Sequence, residues 1–160
     1  DAFFNDLPGS LRLQILLHLT RDLVDQVPLF KYASTALKNR LLMALKLQTY
    51  APEDVILHEG EVGKEILFMS NGKADITSGE DGKVHGVLDA GDYFGHISFI
   101  LRERRTATVR ANTYCEIFIL TSEDFKLIKK DYPEFSDVMK RLSSEKSGKI
   151  SALVLEKIII

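Results

Sequence analysis

"EILFMSNGKADITSGEDGKVHGVLDAGDYFG", Glu65 to Gly95, is the stretch whose reading decides the architecture. Its apolar runs are short. "EILFMS", "KADITS" and "HGVLD" each have the length and composition of a strand. Asn71-Gly72 separates the first two and Asp81-Gly82 the next two. Both pairs tolerate positive φ and so close tight hairpins. The same texture extends outward, to "VILHE" on one side and to "TATVRA" and "EIFIL" on the other. Short strands at close, turn-marked spacing predict an antiparallel β-roll, jelly-roll-like, over about residues 46–120.

Helical periodicity flanks the roll. Leu11, Ile15 and Leu19 recur at helical spacing, with Leu16 widening the stripe and Pro8, Gly9 and Ser10 as start signals. A short helix is predicted over about Arg21 to Gln26, stopped by Pro28. Another is predicted over about Ser34 to Leu47, burying Leu37, Leu41, Leu42 and Leu45. After the roll, Thr121 is an N-cap with Asp124 three residues on. Asp131, Tyr132 and Pro133 break that helix. A last helix runs from about Pro133 past Ile150, with Val138, Leu142 and Ile150 on one side. The fold class is therefore α+β, an antiparallel roll with helices segregated to its two ends.

The totals narrow the function. Hydrophobic residues make up 45% of 160, enough for a real core, and the formal net charge of -2 argues against nucleic-acid binding. The lone cysteine, Cys115, excludes an intramolecular disulfide, suits a reducing compartment, and reads as a buried strand residue. No run approaches the length of a membrane span, and the N-terminus lacks the order of a signal peptide. The chain thus reads as soluble. It opens on Asp1 rather than Met, as a piece of a longer protein would. His18, His58, His85 and His96 lack paired metal spacing, and no nucleophile elbow is present, so neither a metal site nor an enzyme is expected.

The chemistry concentrates in "FGHISFILRERRTATVRA", Phe94 to Ala111, where Arg102, Arg104, Arg105 and Arg110 face one acid, Glu103. Gly95 lets backbone approach a ligand closely. At a helix start, the N–H groups of Gly95 through Ser98 would point outward and form a small anion site. Strand alternation puts Arg105, Ala107, Val109 and Ala111 on one face, so Arg105 stands over small side chains with the Thr106 hydroxyl beside it. N–H groups, a guanidinium fork and a hydroxyl together fit one phosphate. Composition alone leaves a second reading open, a solvated arginine-rich edge with ordinary turns. The other three arginines are expected to be of that kind.

With these residues the chain resembles the cyclic-nucleotide-binding domain family. "FGHIS" and "RRTATVRA" match the two ends of that family's phosphate-binding cassette, and "HEGEVGKEILFMSNGKADI" resembles its early hairpin. "NDLPGSLRLQILLHLTRDLVDQVPLF" is similar to the end of the C-linker in cyclic-nucleotide-gated and hyperpolarization-activated channels. "RANTYCEIF" and "KKDYPEF" also look like channel domains. The resemblance covers Asn5 to about Ile150.

It implies an end of the helical C-linker over residues 1–33, the binding domain over 34–150 and an apolar helical tail over 151–160. Phe94 would open the cassette and Ala107 continue it. Arg105 would pair with the cyclic phosphate. Thr106 and Ser98 would hydrogen-bond phosphate or base, and the backbone of Gly95 and Ile97 would face the sugar-phosphate. Val87 and Leu88 would line the base side, and Lys146 and Ile150 would cap the base. Apolar Ile150 offers guanine's amine no acceptor, which favours cAMP; Thr106 can serve guanine, which keeps cGMP in view. His96 departs from the family's usual Glu at the ribose hydroxyl. A neutral imidazole accepts one such bond, more weakly than a carboxylate, and an imidazolium only donates. Affinity would then depend on pH near the ordinary histidine value of about 6.5.

The implied role is a regulatory module of an ion channel on the cytoplasmic side of the plasma membrane. Its partners would be the cyclic nucleotide, the pore of the same chain and the neighbouring subunits of a tetramer, with no catalytic cofactor and no nucleic acid. A transcription regulator built on the module would need a helix-turn-helix after the long helix, and a kinase regulatory subunit would show two tandem modules. A channel homology domain that binds nucleotide weakly or not at all is the remaining alternative, raised by His96 and opposed by Arg105 and Thr106.

Overall fold

The computed structural model describes residues 6–95 and 102–144. Four helices come first: α1 (Gly9–Leu19), α2 (Arg21–Gln26), α3 (Pro28–Tyr32) and α4 (Thr35–Ala44). Strands β1 (Lys46–Tyr50), β2 (Val55–Leu57), β3 (Glu65–Asn71), β4 (Lys73–Ser78), β5 (Lys83–Asp89), β6 (Tyr93–Phe94), β7 (Thr108–Ala111) and β8 (Cys115–Thr121) follow. Helices α5 (Ser122–Asp131) and α6 (Glu134–Ser144) come last. The strands form two antiparallel sheets, ordered β1-β8-β3-β6 and β2-β7-β4-β5. This is the α+β roll expected from the sequence. No described helix is long and apolar enough to cross a membrane.

Two apolar clusters share the first sheet. Ile66, Phe68, Phe118 and Leu120 face the helices, while Leu67, Met69, Ile117 and Ile119 face the roll interior. Strands β3 and β8 are therefore buried on both faces, which is why "EILFMS" and "EIFIL" are nearly continuous apolar runs rather than alternating ones. In the second sheet Ile56, Leu57, Ala74, Ile76, Leu88, Val109 and Ala111 join the interior cluster, while the residues between them on β4 and β7 are half-buried or exposed. The helical cluster joins residues from both ends of the chain, from Leu16 and Phe30 to Phe135 and Leu142. The Phe30 ring lies 5.7 Å from Phe68, and the Arg141 guanidinium sits 3.7 Å over the Tyr32 ring.

Three local expectations are corrected. In α1 the buried residue is Leu16, while Leu11 and Leu19 are exposed, because this helix packs one narrow side against α4. Helix α4 buries Leu37, Leu41 and Leu42 as expected but ends at Ala44; Leu45 is already extended, and Lys46 and Leu47 belong to β1. Pro28 does more than stop α2. It opens α3, where its missing N–H needs no partner.

Candidate functional site

The site is built where β6 ends and the approach to β7 passes beneath it. Phe94 pairs with Leu67 across the β3–β6 ladder and is fully buried, which fixes where Gly95 falls. Gly95 has φ +84°, and a Cβ there would lie 3.0 Å from the Glu65 carbonyl oxygen and 3.0 Å from Leu67 Cδ1. The glycine is required by both backbone conformation and space.

Arg105 is held at both ends. Its backbone N–H donates to the Glu61 carbonyl at 2.7 Å, and its own carbonyl accepts from the Gly60 N–H at 2.7 Å. The guanidinium reaches inward, Nη1 donating to the Gly95 carbonyl and Nη2 to the Glu65 carbonyl, each at 3.0 Å. The residue is only 3% exposed, the one buried cation in the described core. Burial lowers its pKa from the usual arginine value, with the Glu65 and Glu61 carboxylates acting in the opposite sense. Arginine nevertheless stays protonated at any ordinary pH. The two carbonyls solvate the charge without neutralising it.

The neighbouring residues sort by alternation. Ala107, Val109 and Ala111 are buried, Thr106 and Thr108 half-buried, and Arg110 exposed. Arg104 donates to the Gly60 carbonyl and Arg110 to the Glu53 carbonyl, both at the surface, and Arg102 is exposed. Arg105 is thus the inward one of the four. Val87 and Leu88 occupy adjacent positions on β5 and so take opposite faces. Leu88 joins the roll interior, opposite Ala74, while Val87 is half-buried opposite Asp75. His96, Ile97, Ser98, Lys146 and Ile150 lie outside the described residues.

Sequence reasoning missed the carbonyl of Glu65 and the clamp of Gly60 and Glu61 on the Arg105 backbone. Backbone partners leave no side-chain signature; the only trace was the glycine at position 60, which adopts φ +89°.

Comparison with known proteins bears on this site. The family model for the cyclic nucleotide-binding domain matches residues 47–132. The chain is 32% identical, over 99% of its length, to potassium/sodium hyperpolarization-activated cyclic nucleotide-gated channel 2 of Mus musculus, covering 18% of that protein. It is 31% identical over 98% of its length to channel 1 of Homo sapiens, again covering 18%. Identity to channel 4 of Rattus norvegicus is 30% over 99%, covering 13%. The chain therefore spans less than a fifth of these relatives.

Proposed function

Because the chain belongs to the cyclic nucleotide-binding domain family, we propose that it binds cAMP in the β-roll, with cGMP as the weaker ligand, and serves as the regulatory module of a hyperpolarization-activated type of channel. One observation carries the ligand reading: Arg105 is a buried guanidinium whose charge is solvated by two neutral carbonyls. A buried cation is costly unless an anion meets it. A cyclic phosphate seated at Gly95 and Thr106 supplies that anion. Leu88 and Ala107 line the interior beside it, with Val87 at the margin and Phe94 fixing the start of the cassette. His96, Ile97 and Ser98 complete the ribose and phosphate contacts, and Lys146 and Ile150 close over the base.

The channel role draws on the named relatives. Residues 1–33 act as the end of a C-linker toward a pore, in a tetramer on the inner face of the plasma membrane. Closure of the last helix over the base shifts α1 to α3. The packing of α6 against Tyr32 and of Phe30 against Phe68 supports such coupling. The ligand must bind the closed arrangement better than the open one, since equal binding shifts nothing.

Calorimetric titration of the protein with cAMP and cGMP tests the reading. Saturable binding is expected, tighter for cAMP. Arg105→Ala should weaken it by about 1.5–3 kcal/mol, the worth of a charge-assisted hydrogen bond. No saturation at about millimolar nucleotide, a free energy near 4 kcal/mol, overturns it and leaves a homology domain that does not bind.

A further inference from the structure

A second site lies elsewhere, where the C-terminal helices meet the base of the roll. A cavity of about 570 Å³ opens between α5, α6 and the segments carrying Val62 and Arg102. Four of its lining side chains are cationic, Arg102, Lys126, Lys129 and Lys140, and none of the described lining residues is acidic. The protein as a whole is acidic, with a formal net charge of -2, so this concentration runs against its composition. Phe125 and Met139 give the cavity an apolar wall. A concave surface with low-dielectric walls and charge of one sign focuses its field on the space within.

Two further features mark the place as built. Lys126 and Lys129 stand three residues apart on α5 and both reach the same cavity. Like charges at that spacing repel, and an anion bound between them would relieve the repulsion. Arg102 adopts φ +55°, a left-handed conformation that costs a non-glycine residue free energy. It flanks the Val62–Arg104 bridge that ties the two roll segments together. Among the described residues, none assigned to the nucleotide lines this cavity.

We propose that this cavity binds a small anion carrying two or more phosphate groups, distinct from the cyclic nucleotide. The volume falls within the usual range for a ligand site. Two or three clustered phosphates match cations contributed by the roll and by both helices. Such an anion would hold α5 and α6 against the roll.

The test is calorimetric titration of the 160-residue protein with tripolyphosphate at low ionic strength, repeated with saturating cAMP. One saturable site is expected, unaffected by cAMP or by Arg105→Ala. The double variant Lys126→Ala, Lys129→Ala should weaken it by about tenfold or more, and Lys126→Arg, Lys129→Arg should retain it. All four lining cations are exposed, so the variants should melt as the parent does. Phosphatidylcholine vesicles with and without cardiolipin, whose headgroup carries two phosphates, separate the sources. Tripolyphosphate uptake without vesicle binding identifies a free anion, and vesicle binding lost in the double alanine variant identifies a headgroup. Absence of saturable uptake overturns the proposal. So does uptake that ignores the lysines or disappears with Arg105→Ala.

Discussion

Nη1 of Arg105 donates to the Gly95 carbonyl at 3.0 Å, and a Cβ placed on Gly95 would lie 3.1 Å from the same nitrogen. The glycine and the arginine thus specify each other. Gly95→Ala must adopt φ +84° with a side chain and push on the Glu65 carbonyl and on the guanidinium. The left-handed conformation alone costs about 1–2 kcal/mol. Urea unfolding should show at least that loss, and cAMP affinity should fall with it because the guanidinium is displaced. Unchanged affinity in a folded Gly95→Ala protein would separate Arg105 from the ligand.

The two hairpin glycines make different demands. At Gly72, with φ +98°, a Cβ would lie 2.2 Å from the Tyr114 carbonyl oxygen and 2.9 Å from Cys115 Cα. At Gly82, with φ +63°, it would meet nothing within 4 Å. Gly82→Ala should cost about 1 kcal/mol from backbone conformation alone. Gly72→Ala adds a clash with backbone that cannot move aside, so it should cost several times more. Equal losses in urea unfolding would show that the β4 hairpin yields where the packing says it cannot.

With the ribose placed at His96 as proposed, affinity depends on that side chain's acceptor strength. Replacing it by Glu gives the ribose hydroxyl a charged acceptor, and such bonds are about twice as strong as neutral ones. His96→Glu should tighten cAMP binding by about 1 kcal/mol, roughly fivefold. Titration of the variant beside the parent decides the point; equal affinities would mean that the ribose contact is not made by this position.

How far the sequence could be read depended on what kind of contact held each part. The strands "KADITS" and "EILFMS" were legible because turn chemistry at Gly72 and Gly82 bounds them and burial shapes their composition. Strand β1 was not. All of Lys46 to Thr49 is exposed, so no apolar pattern separates it from the end of α4. Strand β6 is two residues long and carries no period. The inward turn of Arg105 was readable from Ala107, Val109 and Ala111, whose small buried side chains continue its face. The cation-lined cavity was invisible, since Arg102 and the α5 lysines meet only through the tertiary fold.

Ser34 serves two helices at once. Its hydroxyl accepts from the Leu37 N–H at 3.2 Å, capping α4, and donates to Glu134 Oε1 at 2.6 Å, at the start of α6. Loss of an N-cap costs about 1 kcal/mol. Ser34→Ala should lose that much in thermal or urea unfolding, and Glu134→Ala less. Because the two share one contact, the double variant should be less destabilised than the sum by about 0.5 kcal/mol. Strict additivity would mean that the Ser34 hydroxyl caps α4 without holding α6.

Stability should decline as the pH rises above about 9, the sign following from two weak acids, the buried Cys115 and the partly buried Tyr50. Burial pushes the Cys115 thiol above its ordinary 9.0, with hydrogen bonding from Thr113 and the Lys73 backbone acting against it. Burial raises the Tyr50 phenol above 10.0, and Glu65 and Asp54 raise it further. Both groups are neutral when protonated, and both keep the proton to higher pH in the native protein than in the unfolded chain. Below the ordinary values the two states hold equal protons and these groups contribute no slope. Above them the unfolded chain ionises first, the native state binds more protons, and the unfolding free energy falls. Cys115→Val should remove the earlier part of that fall, leaving the part that begins near pH 10 where Tyr50 ionises in the unfolded chain. Urea unfolding of parent and variant from about pH 7 to pH 10.5 measures both. Parallel curves would mean that the Cys115 thiol ionises alike in the folded and unfolded chain.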